Sequence, residues 1–469
     1  MDDIQPLFGV LRQSVQPDIV DKIERLVREA PDRKLCRVNA LAFAASERLD
    51  EEETINAFLH AAHLGIFEMS WNVLCPGCGG VLDANTSLKT VQSEEYTCAL
   101  CAAGYEPTLD EMVEVTFTVS PRVRHIEAHD PHRLPTLEYF RQIYWGSGIE
   151  LPEDDFEAKV DGFMLEELEL PPGGKAVISL QLPADFVIVF EPVTHAAQFL
   201  DVKGEPTKER QSLSLIFDRT HRHHETLTLR PGPLRIALEN HTDVRVLPSV
   251  CIANEALHNL LGRRRPFLTA KRLLTNQTFR DIYRTDTIDV DQRLKITSLT
   301  FLFTDLRGST ELYDRVGDLA AFDLVRMHFG ILNDIVSSEA GAVVKTIGDA
   351  VMATFPTPDR AVLAAMRMRE AMLKLNGERG SEDLLLKIGI HEGPCIAVNL
   401  NERQDYFGQT VNIASRVQHL ATSREIFATG SVLDDPRASD LLVRHGLKPM
   451  SQSVTLRGIT DEISVYTIP

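Results

Sequence analysis

The chain of 469 residues has no run of about 18 apolar residues, so no membrane-spanning helix is expected. Its first residues, MDDIQPLFGVLRQSVQPD, lack a basic segment followed by an apolar one. That pattern is not a secretory signal, and a cytoplasmic location is the expectation. Positive charge is scarce: 49 Lys and Arg stand against 68 Asp and Glu, a net charge of −19. Phosphate backbones are held by basic surfaces, so a nucleic acid is excluded as the main partner. A nucleotide needs only a few local cations and a metal, and is not excluded. Cysteine is also sparse, seven in all, and four of the seven fall in two C-x-x-C pairs. Such pairs fit a metal site better than a disulfide framework. What remains, 43% hydrophobic and 25% charged, is ordinary for a globular protein. The length suggests roughly two to four domains.

Two stretches carry the chemistry. LTFLFTDLRGST at 299–310 is an apolar run ending at Asp305, then a glycine turn and a helix start. Asp305 therefore closes a strand beside a helix N-terminus, whose free N–H groups suit phosphate oxygens. VVKTIGDAVMATF at 343–355 is two β-rich runs joined at Gly348-Asp349, a hairpin with Asp349 at its tip. Taken singly, Asp305 reads as a helix cap and Asp349 as a turn residue. Together, on neighbouring strand ends, they make a site for Mg²⁺, which prefers one or two carboxylates plus substrate phosphates.

With DYFGQTVNIASR at 405–416, these motifs resemble the ordered series of the class III nucleotidyl cyclases, over residues 295–469. The resemblance implies an α+β ferredoxin-like (βαββαβ) catalytic domain working at a homodimer interface, with two Mg²⁺ or Mn²⁺ per active site on Asp305 and Asp349. It implies that backbone N–H groups at Leu306, Arg307 and Gly308 cradle the β- and γ-phosphates. Asn412 and Arg416, one helical turn apart, match the transition-state pair, Arg416 spreading its fork over the phosphorane charge. Arg457-Gly458 falls where the family has Lys-Gly on the terminal phosphates; arginine keeps the charge and changes the geometry. Lys345 and Asp405 match the base-selecting positions: lysine donates to adenine N1 and aspartate accepts from the 6-amino group. Guanine presents the opposite pattern, so ATP is the implied substrate. The implied activity is adenylate cyclase, giving 3′,5′-cyclic AMP and pyrophosphate. A guanylate cyclase or a catalytically weak cyclase-like scaffold are the alternatives. The GG-D/E-E-F signature of diguanylate cyclases, which share the core, is absent. The segment 397–401 departs from the family pattern by lacking a glycine often found there.

Within 295–469 the pattern predicts a strand at 299–305, helices over 308–339, a hairpin at 342–355 and a helix at 358–376. A strand at 384–391, a pairing through 394–407, a helix at 409–420 and edge strands at 453–456 and 462–468 follow. The upstream residues divide as 1–74, 75–125, 126–252 and 253–294. The first has helical spacing at 19–29, 37–48 and 54–64 and a strand at 66–74. That order suits a winged-helix-like unit or a helical docking module, and its acidity and lack of a basic recognition helix favour docking. In the second, Cys75, Cys78, Cys98 and Cys101 have C-x₂-C-x₁₉-C-x₂-C spacing, the pattern of a structural zinc ribbon. Cys36, Cys251 and Cys395 read as small core residues. The third holds short strands at 175–182, 186–191, 212–218, 225–230, 232–240 and 244–252, an antiparallel β-sandwich pattern. His221, His223 and His224 read as a solvated loop between strands rather than a metal site. The last is a helical connector, 254–262 and 268–283, with Arg263-Arg264-Arg265 as a solvated or acid-paired run between them. The upstream half is expected to regulate through this connector, its effector being unidentified.

Overall fold

The computed structural model describes residues 4–92, 94–218, 225–284, 288–289, 292–400, 403–422, 424–459 and 462–469, with 309 and 310 described in their backbone only. The histidine cluster at His221, His223 and His224, and Asn401, lie outside the described residues. The chain forms two compact units: residues 1–107 with 111–268, and 108–110 with 269–469. Among the described residues no helix is long and apolar enough to cross a membrane.

The first unit begins with helices whose ends are written in the sequence. Pro17–Glu29 starts on a proline. Ala40–Glu47 is capped by Asn39, whose side chain accepts from the Leu41 and Ala42 N–H groups. Glu51–His63 is capped by Asp50, and three glutamates in its first turn favour the positive helix end. The strand Phe67–Leu74 follows and pairs antiparallel on both sides, with Val81–Asn85 and Val113–Val119. Phe58 joins the helices to this sheet, its ring 5.1 Å from Phe117 and 5.4 Å from Phe43.

Farther along lie two packed sheets rather than an all-antiparallel sandwich. Gln211–Phe217 runs parallel to Gly232–Asn240, and Ala196–Val202 parallel to Thr226–Leu229. The cause is connectivity. Between Gln211–Phe217 and Gly232–Asn240 the chain visits the other sheet as Thr226–Leu229, then returns in its original direction. Apolar side chains of both sheets, Val189, Leu200, Phe217 and Leu238 among them, form one core. Ala196–Val202 escapes the sequence reading because nearly every residue is buried and no alternation marks it. The expected strand at 244–252 is formed only at Ser249–Ile252. The arginine run is exposed, as expected, and two of its side chains also bond backbone carbonyls. Arg264 donates to the Gly77 carbonyl at 2.6 Å and Arg265 to that of Ser147 at 2.7 Å. Cys251 and Cys395 are buried as expected, while Cys36 is half-buried.

In the second unit, β1 (Leu294–Leu306), α1 (Ser309–Val316), α2 (Asp318–Ser338), β2 (Ala342–Ile347), β3 (Ala350–Phe355), α3 (Pro358–Arg379) and β4 (Leu386–Leu400) give the ferredoxin-like order β2-β3-β1-β4. Then come β5 (Arg403–Phe407), α4 (Gln409–Leu420), β6 (Ile426–Thr429), α5 (Gly430–Leu433), α6 (Pro436–Arg444), β7 (Met450–Thr455) and β8 (Glu462–Ile468). The sheet is covered on both faces. Leu302, Ile388, Ile390, Ile426 and Ala428 face α2, α3 and α6, while Phe427 and Val465 face Ile413 and Val417 of α4.

Several boundaries differ from expectation for local reasons. The helix over 308–339 breaks at Gly317, which takes φ +80°. The amphipathic 268–283 splits into Ala270–Leu274 and Gln277–Ile282, because Asn276 caps the second through its side chain. β4 runs unbroken through 391–394, where two strands were expected, and its far half pairs with β5. β6, α5 and α6 were not foreseen.

The helix α4 lies very close to the sheet. A Cβ on Gly389 would stand 2.2 Å from the backbone nitrogen of Gln418 and 2.4 Å from its Cα. Gly389→Ala is therefore expected to destabilise the chain by about 1–3 kcal/mol. Gly377→Ala, at an exposed position on α3 with nothing within 4 Å, should stabilise it by up to about 1 kcal/mol. Denaturant unfolding of both variants checks this; equal effects would contradict the close packing.

Candidate functional site

Asp305 ends β1 on the α4 face of the sheet, since Leu302 and Leu306 belong to the opposite face. Thr304 pairs with Val351, so Asp305 stands opposite Ala350, the neighbour of Asp349. Asp349 sits in the β2–β3 turn after Gly348, whose φ of +65° makes that turn possible. The two carboxylates feel each other. Asp305 is pushed above the usual carboxylate range, first by burial and then by the Asp349 charge, with Lys387 and His419 opposing. Gln418 of α4 lies nearby, but its Nε2 is buried and makes no hydrogen bond of good geometry. Asp349 Oδ2 is likewise buried and unpartnered. A buried carboxylate oxygen with no donor, beside a second carboxylate, is an arrangement that suits a divalent cation.

The turn after Asp305 differs from what the resemblance implied. The Arg307 N–H donates to the Leu385 carbonyl at 2.9 Å, so it is committed to the sheet edge and is not free to cradle phosphate. Leu306 is still in the strand and buried. Gly308, with φ +69°, makes the turn into α1.

Lys345 on β2 and Asp405 on β5, 60 residues apart, meet as an ion pair. Asp405 is buried, and its other oxygen accepts from the Tyr406 N–H at 2.8 Å. Asn412 and Arg416 share one face of α4, Asn412 exposed and Arg416 half-buried. The Arg416 guanidinium rests against Gly458: a Cβ there would be 3.5 Å from both terminal nitrogens. The structure thus brings Arg416 to the Arg457-Gly458 turn, where Arg457 itself is exposed.

In the first unit the four motif cysteines converge. Their sulfurs all lie within 4.8 Å of one another. The Cys75–Cys101 and Cys78–Cys98 separations are both 3.7 Å, far beyond a disulfide bond. Two are presented by the hairpin Tyr96–Cys98 and Ala103–Tyr105. The Gly80 N–H points at Cys78 Sγ from 3.4 Å, and Gly77 is tight against Cys101.

Comparison with known proteins now separates the two units. Residues 1–281 match a family of unknown function, DUF5939. Residues 292–457 match the adenylate and guanylate cyclase catalytic domain. The chain belongs to the DUF5939 family. Its second unit carries a class III cyclase catalytic domain. An adenylate cyclase of Anabaena cylindrica is 29% identical over 185 residues, which are 36% of this chain and 36% of that protein. Adenylate cyclase 2 of Rhizobium meliloti (strain 1021) is 29% identical over 180 residues, 34% of this chain and 49% of that protein. The matches thus span half or less of these relatives. Among solved structures, the adenylyl cyclase CyaB of P. aeruginosa is 22% identical, covering 38% of this chain and 96% of that one, with a TM-score of 0.33.

Around the Lys345–Asp405 pair, the motifs gave no hint of Arg280. It lies on Gln277–Ile282, and its Nη2 donates to the carbonyls of Val344 and Gln404, at 3.3 and 3.0 Å. Those residues immediately precede Lys345 and Asp405, so the arginine ties together the strands that carry the pair. Gln277 on the same helix accepts from the Val343 N–H at 2.9 Å. The only sequence signal was an amphipathic stretch.

His328 of α2 was also missed. It is fully buried, and neither ring nitrogen makes a hydrogen bond of good geometry. Burial pushes its pKa down to about 4, although the Asp349 charge pulls the other way. Depressed below an unfolded value of about 6.5, it takes up its proton only on unfolding as the pH falls between the two. Stability should be intact above pH about 6.5 and fall by about 3 kcal/mol on this account by pH about 4. His328→Leu should make the stability–pH curve shallower there by one proton; an unchanged slope would contradict the assignment.

Proposed function

We propose that the chain is an adenylate cyclase, converting ATP to 3′,5′-cyclic AMP and pyrophosphate at a site shared by two copies. The observation that carries the reading is the Asp305–Asp349 pair with its unpartnered buried oxygen. Mg²⁺ or Mn²⁺ bound to these carboxylates supplies activation of the attacking 3′-hydroxyl and neutralises charge on the departing pyrophosphate. The chain's own groups do the rest. Asp305 and Asp349 hold the negative charge that draws the triphosphate's counter-ions to one sheet end. Arg416 donates its fork to the non-bridging oxygens of the α-phosphate as the new P–O bond forms and the bond to the β-phosphate breaks. Asn412, one turn earlier, orients the ribose. Lys345 donates to adenine N1 and Asp405 accepts from the 6-amino group; their mutual pairing keeps both in place when no base is bound. Arg457 meets the terminal phosphates.

Two-copy assembly is supported by apolar side chains left in the open on the strands around this pair. Phe407 is 66% exposed, Ile347 54% and Leu400 49%. Such side chains on β5, β2 and β4 suit an isologous interface. In it, each cleft would take Asp305 and Asp349 from one copy and Lys345, Asp405, Asn412 and Arg416 from the other.

Purified chain with ATP and Mg²⁺ or Mn²⁺ is expected to release cyclic AMP, and Asp305→Ala or Asp349→Ala to lower turnover at least about 100-fold while circular dichroism is unchanged. Lys345→Glu with Asp405→Cys should lower the ATP:GTP ratio of kcat/KM. Product from GTP alone would overturn the base assignment, and no product from either would overturn the enzyme.

We also propose that Cys75, Cys78, Cys98 and Cys101 hold one structural zinc. Four sulfurs at about 2.3 Å from a tetrahedral ion would stand about 3.8 Å apart, near the separations described above. With four protein ligands the ion has no open position and takes no part in catalysis. Elemental analysis should find one zinc per chain, and its removal by chelator should lower the melting temperature. A metal-free protein with four freely titrating thiols would contradict this.

A further inference from the structure

The first unit contains a cleft of about 380 Å³ that no part of the cyclase reading uses. Its size is that of a small-molecule site. Five cationic side chains border it, Arg33, Lys34, Arg37, Arg141 and Arg265, against two carboxylates. In a chain of net charge −19 this local excess runs against the whole. Both carboxylates are already answered: Glu153 by Lys34 at 3.1 Å and Glu47 by Arg25 at 3.2 Å.

Three of the arginines are fixed mainly by backbone carbonyls, which orient a guanidinium without cancelling its charge. Arg37 donates to Ile143, Arg141 to Pro152 at 2.9 Å and Glu153 at 3.1 Å, and Arg265 to Ser147 at 2.7 Å. Arg141 has one long carboxylate partner, Glu138, at 3.7 Å. Arg33 is exposed and has no ion pair among the described residues.

The wall also carries polar atoms with nothing to bond. Gln142 Oε1, Trp145 Nε1 and Ser147 Oγ, on residues that border the cleft, are buried and unpartnered. Gln142 and Trp145 are only 5% and 7% exposed. The glutamine's orientation is fixed chemically: its Nε2 donates to the Glu138 carboxylate at 2.6 Å, so Oε1 is the atom left over. An unmet buried donor or acceptor costs about 1–3 kcal/mol, which a bound ligand would recover.

The backbone here is unusual as well. Arg141 and Gln142 lie on a π-helical turn, Phe140–Tyr144, a rare form concentrated at functional sites. Arg37 holds a left-handed φ of +49°, uncommon for a side-chain-bearing residue.

We propose that this cleft binds a small organic anion. A phosphate or carboxylate group would lie among Arg33, Arg37 and Arg141, whose planar forks suit either. Trp145 Nε1 and Gln142 Oε1, closed to solvent in this structure, would turn on binding to meet an acceptor and a hydroxyl of the ligand body. Phe43, Ile149 and Leu151 offer apolar contact to its carbon skeleton.

Isothermal titration of the full chain with glycerol 3-phosphate and with citrate, separately and at millimolar concentration, tests the proposal; both carry hydroxyls. Saturable binding of one ligand per chain is expected, and which probe binds distinguishes phosphate from carboxylate. Arg33→Gln and Trp145→Phe should each weaken that binding about tenfold, while Arg416→Ala leaves it unchanged. Both cleft variants are expected to fold, because Arg33 is exposed and phenylalanine keeps the packing at Trp145; circular dichroism checks this. Binding of neither probe overturns the site. So does binding that survives both cleft changes, or that disappears with Arg416→Ala and therefore belongs to the cyclase domain.

Discussion

Two like charges held close together, both half-buried, govern the second unit. At an effective dielectric of about 20, two like charges about 4 Å apart repel by about 4 kcal/mol. The fold meets this by placing one at the end of β1 and the other in the turn of the β2–β3 hairpin, both anchored to one sheet. Burial adds to the repulsion, and Asp305 is pushed upward by both. Neither group is neutralised by a lysine or arginine ion pair among the described residues. Such a pair would have served a structural role better, which supports the proposal that this charge is kept for a cation.

The same sheet end draws in α4. That helix rests on Gly389 and Gly393, where a Cβ would strike Gln418 and Thr410. Thr410 donates to the Pro394 carbonyl at 2.5 Å and pins the helix start. Its closeness brings Gln418 to Asp305 and, two residues back, sets Arg416 against Gly458. Arg280 and Gln277 fasten the helix Gln277–Ile282 to the strands bearing Lys345 and Asp405. A displacement of that helix would therefore be felt, through hydrogen bonds, by the strands that carry Lys345 and Asp405.

Much of this was legible in the sequence because the decisive signals were local. Gly348-Asp349 marks a hairpin in any context, and the helices of the first unit show in their apolar spacing, although they start at Ala40 and Glu51 rather than at 37 and 54. Asn412 and Arg416 share a face by spacing alone. What could not be read depends on long-range placement. The parallel pairing of Gln211–Phe217 with Gly232–Asn240 arises from a strand that crosses between sheets, and no residue announces it. β6 is buried between two partners and only four residues long. The Arg307 N–H was expected to be free, but its partner, Leu385, is 78 positions away. Arg264 and Arg265 are the surface charges they looked like, but their carbonyl partners are distant in sequence and could not be read from it.

The central claim is that one chain holds every catalytic group yet completes a site only with a second copy. Mixing inactive Asp305→Ala with inactive Arg416→Ala tests it most directly. A mixed dimer has one site with both defects and one with none. The account predicts that activity returns on mixing, to at most about half the normal rate per mixed dimer if the two sites are independent. Absence of activity, with subunit exchange verified by pull-down of differently tagged chains, would contradict it.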